Sequence, residues 1–211
     1  MKKFRLTFFS RLSYNRLPSV KSSTFNGLSR LQTIVLSGNV ISEIESEAFK
    51  NMPKLSTLSL TSNRISSMSS RSFVQLDNLQ KLELQFNHLR EFSLEAFDNC
   101  SINWDNPLTL NISFNLIQAL NSDGLDDKRR SPPPFVRILD ASHNDLAQVP
   151  KNFLESLSPA LLSLDLSHNR LAEVDNSAFK RLSRLQELKL SHNQVKNSQK
   201  YPMILWANPF F

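Results

Sequence analysis

Eight asparagines at nearly regular intervals constrain this chain more than any other feature. Their successive separations are 24, 24, 24, 28, 29, 25 and 24 residues. Each asparagine is the ninth residue of a frame whose first, fourth, sixth and eleventh positions are mostly leucine or isoleucine, with clean copies over residues 55–65 and 161–171. A fixed period in the twenties predicts a solenoid of stacked coils. The asparagines are Asn15, Asn39, Asn63, Asn87, Asn115, Asn144, Asn169 and Asn193.

The frame assigns a role to each of its positions. Alternating apolar and polar residues before the asparagine are typical of a short strand with two different faces. One coil cannot bury the apolar face alone, so neighbouring coils must stack and share a core. An asparagine amide carries two donors and an acceptor, which suits it to backbone groups buried between adjacent coils. We therefore interpret all eight asparagines as structural.

A second column supports the same register. In most repeats a phenylalanine follows ten residues after the asparagine, while Leu125 replaces it in the fifth repeat and Phe153 comes one residue early in the sixth. We expect these rings to stack as an aromatic spine inside the solenoid. Cys100, the only cysteine, occupies an apolar position of the fourth repeat and is interpreted as a core residue. The regularly spaced rings are Phe25, Phe49, Phe73, Phe97 and Phe179.

The repeated pattern resembles the typical class of extracellular leucine-rich repeats, with residues 31–55 and 161–185 as close copies. The resemblance covers residues 7–195. It implies an α/β solenoid, a horseshoe of about eight repeats with a parallel concave β-sheet and short irregular or 3-10 segments on the convex side. The class includes Toll-like receptors, Slit-type guidance proteins, small proteoglycans and adhesion proteins. The resemblance to this class therefore implies protein binding rather than catalysis.

A narrower resemblance concerns the segment 106–113 and the variable repeat length without internal cysteine caps. Both are similar to chaoptin-like cell-surface adhesion glycoproteins. Because such proteins carry many more repeats, this resemblance implies a fragment or a shortened relative. Two sequons, at Asn99 and Asn111, are candidate glycosylation sites that agree with an extracellular or cell-surface protein.

The repeat register divides the chain into two parts. Residues 1–198 form the predicted solenoid, with insertions near 98–107 and 126–134. Residues 199–211 form a C-terminal tail that we interpret as a partial repeat or a truncated cap. Since an uncapped solenoid exposes core and a sheet edge, we expect residues 203–206 either to cover the last repeat or to promote self-association.

Composition narrows the function classes. The net charge of +6 is modest, and basic residues are dispersed rather than paired with aromatics as in nucleic-acid modules. No stretch reaches the roughly 18 apolar residues of a membrane span. A single cysteine cannot form a disulfide framework within the chain. The first residues begin like a secretory signal, but Arg5 and Arg11 interrupt the apolar run, so no signal peptide is evident.

The outward strand positions of the repeat predict two columns across the concave face. The column just before the asparagines consists of Tyr14, Gly38, Ser62, Phe86, Phe114, His143, His168 and His192. The other column consists of Arg11, Val35, Ser59, Glu83, Asn111, Asp140, Asp165 and Lys189. Because neighbouring strands lie about 5 Å apart, consecutive members of each column should be in contact.

These columns supply the candidate binding residues. Phe86 and Phe114 would form an exposed aromatic anchor of the kind that interfaces prefer. The three histidines admit four interpretations. They are either residues common at this repeat position without a special function, a pH-sensitive interface, a metal site, or acid–base catalysts. We favour the first of these. The candidate protein-binding residues are Phe86, Phe114, Asp140, His143, Asp165, His168, Lys189 and His192.

The sequence predicts a protein that binds another protein through its concave face, for cell adhesion or ligand recognition at the cell surface. It predicts no enzyme activity, no metal and no cofactor. One alternative is an intracellular scaffold of the same fold, which the lone cysteine and the interrupted N-terminal run allow. A second is a set of targeting repeats from a larger receptor or enzyme.

Overall fold

The computed structural model describes residues 8–196, except 23, 26–27, 99, 123–133, 158–159, 175–178 and 180. Its strands, in chain order, are β1 (Phe9–Arg11), β2 (Ser19–Val20), β3 (Thr33–Val35), β4 (Glu43–Ile44), β5 (Phe49–Lys50), β6 (Thr57–Ser59), β7 (Ser67–Met68), β8 (Phe73–Val74), β9 (Lys81–Glu83), β10 (Glu91–Ser93), β11 (Phe97–Asp98), β12 (Leu108–Asn111), β13 (Ala119–Asn121), β14 (Val136–Asp140), β15 (Ser163–Asp165) and β16 (Glu187–Lys189). A 3-10 helix spans Leu94–Ala96, and an α-helix, α1, spans Lys151–Leu157.

One parallel sheet organises the molecule. It has eight strands in the order β1-β3-β6-β9-β12-β14-β15-β16, so each repeat contributes the strand that precedes its asparagine. Smaller parallel ladders, β2-β4-β7, β5-β8-β11 and β10-β13, connect the returning segments of successive coils. This architecture confirms the predicted α/β solenoid with a parallel concave sheet.

The register of the outward positions is continuous along the sheet, apart from a shift between Leu108 and Thr109 where β12 pairs with β14. Arg11 pairs with Val35, Val35 with Ser59 and Ser59 with Glu83, and the same line continues through β12 to β16. The second predicted column is therefore a real row of neighbours. Between these outward residues the inward ones, such as Leu58 and Leu82, have no exposed surface, because each packs between the coils on either side.

The first four phenylalanines of the predicted spine stack as expected. Ring centroids of Phe25, Phe49, Phe73 and Phe97 are separated by 5.5, 5.8 and 5.2 Å in succession. All four are buried, as are Phe153 and Phe179. Leu125 lies outside the described residues. Cys100 is also buried, and its thiol lies 3.4 Å from the carbonyl oxygen of Phe73, as expected for a core position.

The asparagines join consecutive coils, as the frame predicts. The Asn63 amide donates to the carbonyl of Leu60 in its own coil at 2.9 Å and to that of Leu36 in the preceding coil at 3.0 Å. Its oxygen accepts from the backbone N–H of Ile41 at 3.2 Å. The same three-way arrangement recurs at Asn39, Asn87, Asn115, Asn144, Asn169 and Asn193.

Asn15 is the exception to this pattern. It is exposed, and its described hydrogen bonds go only to the carbonyls of Leu12 and Ser13 in its own coil. The backbone groups that the other asparagines bind belong to the preceding coil, and no such coil lies within the described residues. The prediction that all eight asparagines join adjacent coils therefore holds for seven.

The sixth repeat departs from the predicted irregular or 3-10 convex segments, because α1 is a short α-helix. Pro150 precedes it, and proline is favoured at a helix start because its fixed φ suits the first turn. The carbonyl of Pro150 accepts from the N–H of Leu154 at 3.2 Å. Phe153, Leu154 and Leu157 are buried, so the helix docks its apolar side on the core.

The first predicted insertion lies beside the sheet, before β12. Trp104 packs edge-on against Phe135 with ring centroids 5.0 Å apart, and the guanidinium of Arg184 lies 4.7 Å from the Trp104 ring. The dispersed basic residues therefore do include one pair with an aromatic ring, and this pair joins separate coils.

The second insertion lies almost entirely outside the described residues, as do Asn99 and the tail at 199–211. None of the described helices is long and apolar enough to cross a membrane.

Candidate protein-binding face

The column before the asparagines lies at the carboxyl edge of the sheet rather than on the strands. Each member follows three residues after its strand ends, as Phe86 follows β9 and His168 follows β15. The prediction that these are strand positions is wrong in this respect. The physical reason is the turn into the core, which requires left-handed backbone at every member of the column. Their φ values lie between 51° and 70°.

Left-handed backbone costs about 1–2 kcal/mol for residues other than glycine, so the turn needs support from its neighbours. The following coil supplies this support through a backbone hydrogen bond. The N–H of Phe114 donates to the carbonyl of Ser142 at 3.1 Å, and that of His143 donates to Ser167 at 3.0 Å. Because the same bond repeats along the column, the side chains leave the backbone at equal angles.

This repetition stacks the rings. We call the five residues Phe86, Phe114, His143, His168 and His192 the ring column. Its successive centroid separations are 4.4, 4.1, 4.0 and 4.1 Å, with planes 10° to 19° apart. These separations are shorter than the ordinary strand spacing of about 4.8 Å. Each inner ring is covered on both faces, and the ring edges are left facing solvent.

The two phenylalanines remain open to solvent. Phe86 is 50% exposed and Phe114 is 40% exposed, although both are large apolar side chains. The structure thus places them side by side and accessible at one edge of the concave face.

The acidic members of the other column fix the turns that lead to the rings. One oxygen of Asp140 accepts from the N–H of Ser142 at 3.0 Å and from its hydroxyl at 2.7 Å. Asp165 accepts from Ser167 in the same way, at 2.9 and 2.6 Å. These side chains, predicted as binding residues, therefore also have a structural task. The sequence signal for it is a serine two residues after the acidic residue.

Asn111 makes the same bonds, since its amide oxygen accepts from the N–H and the hydroxyl of Ser113 at 3.0 and 2.7 Å. It lies on β12 in the middle of the sheet. A glycan at this sequon would stand on the concave face itself.

Lys189 links the carboxylates at the end of the face. Its ammonium lies 3.5 Å from Asp165 and 3.3 Å from Glu187. The hydrogen bond to Glu187 is the main cause that raises the pKa of Lys189. Burial acts to raise the pKa of Asp165, but the bonds from Ser167 and the charge of Lys189 outweigh it and lower that pKa.

Stacking between the histidines lowers the pKa of the central imidazole, His168. Desolvation by its neighbours is the main cause that lowers the pKa of His168, and the charges of His143 and His192 lower it further. Asp165 acts in the opposite direction. Parallel stacked rings also do not converge on one point, as the ligands of a metal site must. Among the described residues, no group of three or more His, Cys, Asp or Glu side chains could hold a metal ion.

Comparison with known proteins gives one family and several structural neighbours. A family model described as leucine rich repeat matches residues 11–65, 39–89, 53–104 and 134–196. Comparison with curated proteins gave no match. The leucine-rich repeat domain of APL1B is similar with a TM-score of 0.66 and 24% identity, over 87% of this chain and 49% of that one.

Two complexes contain similar chains. The LRIM1/APL1C complex gives a TM-score of 0.67 and 25% identity over 87% of this chain and 30% of that one. The complex of TLR13 with ssRNA13 gives 0.69 and 26% over 87% of this chain and 24% of that one. The present chain therefore spans between about a quarter and a half of the length of these structures.

Proposed function

This chain belongs to the leucine-rich-repeat family, and from that premise we propose that it binds another protein through its concave face and the adjoining ring column. The observation that carries the proposal is that two phenylalanines, Phe86 and Phe114, stack on each other and are exposed at one edge of the concave face. Aromatic side chains are enriched at the centres of protein interfaces, where a few of them supply most of the binding energy.

The rigidity of the site supports the same proposal. The first four rings of the column are each held by a backbone bond to the next coil, and the turns before three of them are fixed by Asn111, Asp140 and Asp165. A partner would therefore meet a surface already in its binding arrangement, which reduces the entropy lost on binding.

We further propose that the binding serves adhesion or ligand recognition at the cell surface. The resemblance of the repeats to the extracellular class supports this role, and the narrower resemblance to chaoptin-like glycoproteins stays a prediction. The LRIM1/APL1C complex contains a chain that is similar to this one. An intracellular scaffold and targeting repeats of a larger receptor or enzyme remain the alternatives.

The proposal is tested by affinity capture on the full chain and on a Phe86→Ala/Phe114→Ala variant. Loss of two interface aromatics should weaken binding of a captured protein by at least about tenfold, since each such residue contributes about 2 kcal/mol or more. Phe8→Ala is the matched control, because Phe8 is also a large exposed aromatic residue, at 46%, but it precedes its strand β1 and is not part of the ring column. Equal capture by all three proteins would refute the proposed face.

Location is tested separately. In protein isolated from the cells that naturally make it, mass spectrometry of the peptide containing Asn99 should show a glycan if the chain is extracellular. An unmodified Asn99 in a protein recovered from the medium would count against the glycoprotein assignment. Asn111 serves as the internal comparison, because its amide lies within the sheet.

A further inference from the structure

The column before the asparagines is interrupted at one place. From Phe86 onward every coil contributes a ring, but the preceding two coils contribute Ser62 and Gly38. The first described coil contributes Tyr14, which is 88% exposed. A Cβ atom at Gly38 would lie 2.7 Å from Cδ1 of Tyr14, so the Tyr14 ring already occupies the space beside Gly38. The level of Ser62 is thus a gap between two aromatic side chains.

Among the described residues, no ring stacks on the face of Phe86 that points along the column toward this gap. Phe114 covers the other face at 4.4 Å, and the next position on the open side is the exposed Ser62. Since coils repeat at about 4.8 Å, a planar group seated at Ser62 would lie at ordinary stacking distance from Phe86. The existing column shows that this edge of the solenoid accepts rings at such a spacing.

The surroundings of the gap are cationic and hydroxyl-rich. In the first three described coils the two columns hold the exposed Arg11 and no carboxylate, and two further exposed arginines, Arg16 and Arg64, directly follow the asparagines of the first and third coils. On the strand side, the hydroxyls of Ser37 and Ser59 lie 2.9 Å apart, and Ser59 lies 3.3 Å from the Thr61 hydroxyl. Within the columns carboxylates begin in the fourth coil, at Glu83, where the Lys81 ammonium lies 2.6 Å away. The glutamates of the second coil, Glu43, Glu45 and Glu47, lie on β4 and the segment after it, outside the two columns.

We propose that the gap at Ser62 is a binding slot for an aromatic side chain of a partner protein whose flanking residues are acidic. The ring would stack on Phe86, and the acidic residues would meet Arg16 and Arg64. This inference rests on the proposed function, because the slot adjoins the same binding face. It assigns a chemistry to the partner: an exposed acidic segment that carries a tyrosine, phenylalanine or tryptophan.

The charge distribution favours a polypeptide over a nucleic acid. A single strand lying along the column would need cations that follow its phosphates. Beyond the fourth coil it would instead pass Asp140, Asp165 and Glu187. A short acidic segment placed over the first three coils avoids these carboxylates.

The test uses the full chain and a capped peptide, Glu-Glu-Tyr-Glu-Glu, at millimolar concentration, followed by NMR. Amide signals of Ser62 and Phe86 should shift on titration. Replacing the tyrosine by leucine should weaken binding about 2–10-fold, the range expected for loss of one aromatic pair. Replacing the glutamates by lysines should weaken it further, since Arg16 and Arg64 would then repel the peptide.

Ser62→Phe fills the slot and should abolish the shifts. This variant is expected to fold, because Phe86 and Phe114 hold rings at the same turn with φ values of 59° and 51°. Ser70→Phe, at an exposed serine outside the column, is the matched control and should bind the peptide as the parent does.

Peptide shifts that persist in Ser62→Phe, or equal affinity for the leucine peptide, would overturn the slot. Tighter binding of an oligouridylate than of the acidic peptide would overturn the assignment to a protein partner. If affinity capture fails in Phe86→Ala/Phe114→Ala but survives in Ser62→Phe, the proposed function stands and the slot does not.

Discussion

Each asparagine of the ladder stabilises the solenoid through one amide. Asn63 satisfies three backbone groups, from Leu36, Leu60 and Ile41, at a buried position. We expect Asn63→Ala to lower the free energy of unfolding by about 1–3 kcal/mol, because it leaves buried backbone groups without partners. Denaturant-induced unfolding followed by circular dichroism measures the change.

Asn15→Ala is the matched control for this prediction. Asn15 is exposed and bonds only within its own coil, so its replacement should change the free energy of unfolding by less than about 0.5 kcal/mol. Equal losses in the two variants would show that the amide acts through local turn geometry rather than by joining coils.

The central imidazole of the ring column makes a prediction about pH. Desolvation and the charges of His143 and His192 lower the pKa of His168 below its ordinary value of 6.5. Between these two pKa values the unfolded chain binds more protons than the folded one, so stability is lost as pH falls below 6.5. NMR titration of the His168 ring should show the lowered pKa directly.

Substitution of the two neighbouring histidines provides the control. Replacing both His143 and His192 by asparagine should raise the pKa of His168, because the two charges and much of the desolvation are removed. Replacing His88, which lies outside the column, should leave the pKa of His168 unchanged. A His168 pKa at or above 6.5 in the parent protein would contradict the stacked arrangement.

The sequence predicted the members of both columns but not the tasks of all of them. Register alone placed Asp140 and Asp165 beside one another, because the strand period is regular. It did not reveal that Ser142 and Ser167 bind those carboxylates, since a local side-chain bond depends on the turn that follows the strand. The left-handed turn also moved the ring column off the strands, which no hydrophobic pattern encodes.

At the scale of elements, the aromatic spine replaces regular helices as the packing unit of the returning segments. Phe73 lies between Phe49 and Phe97 at centroid distances of 5.8 and 5.2 Å and has no exposed surface. We expect Phe73→Ala to cost about 3–5 kcal/mol, because the cavity would interrupt contacts with both neighbouring coils. Thermal unfolding compared with Phe73→Leu, which retains more volume, tests this cost. A loss no larger than that of an exposed substitution would place the ring outside the core.

Helix α1 shows what the repeat frame cannot specify. The frame fixes the strand and the asparagine turn, but the returning segment only has to bury one or two apolar side chains. Pro150 and the apolar residues Phe153, Leu154 and Leu157 satisfy that need with a helical turn, whereas other repeats use extended pairs such as β5 and β8. Local residues therefore decide the convex elements one repeat at a time.

For the whole molecule, nearest-neighbour stacking makes the fold predictable from a single repeat. Each coil contacts the coils on either side, so a frame that explains one coil explains the sheet. Long-range packing outside the frame was not predictable in this way. The Arg184 guanidinium reaches Trp104 from several coils away, and this contact depends on how the segment before β12 lies beside the sheet.

The same nearest-neighbour logic predicts graded stability along the stack. In the described part of the chain, β6 pairs with strands on both sides, whereas β16 pairs only with β15. Leu188 of β16 is partly buried, while the equivalent Leu164 of β15 is fully buried. Local opening should therefore cost less free energy at the last described coil than in the middle. Hydrogen–deuterium exchange should show faster exchange over residues 187–189 than over residues 57–59. Equal protection in both segments would mean that the solenoid opens as a single cooperative unit, in which an end coil is as stable as an interior one.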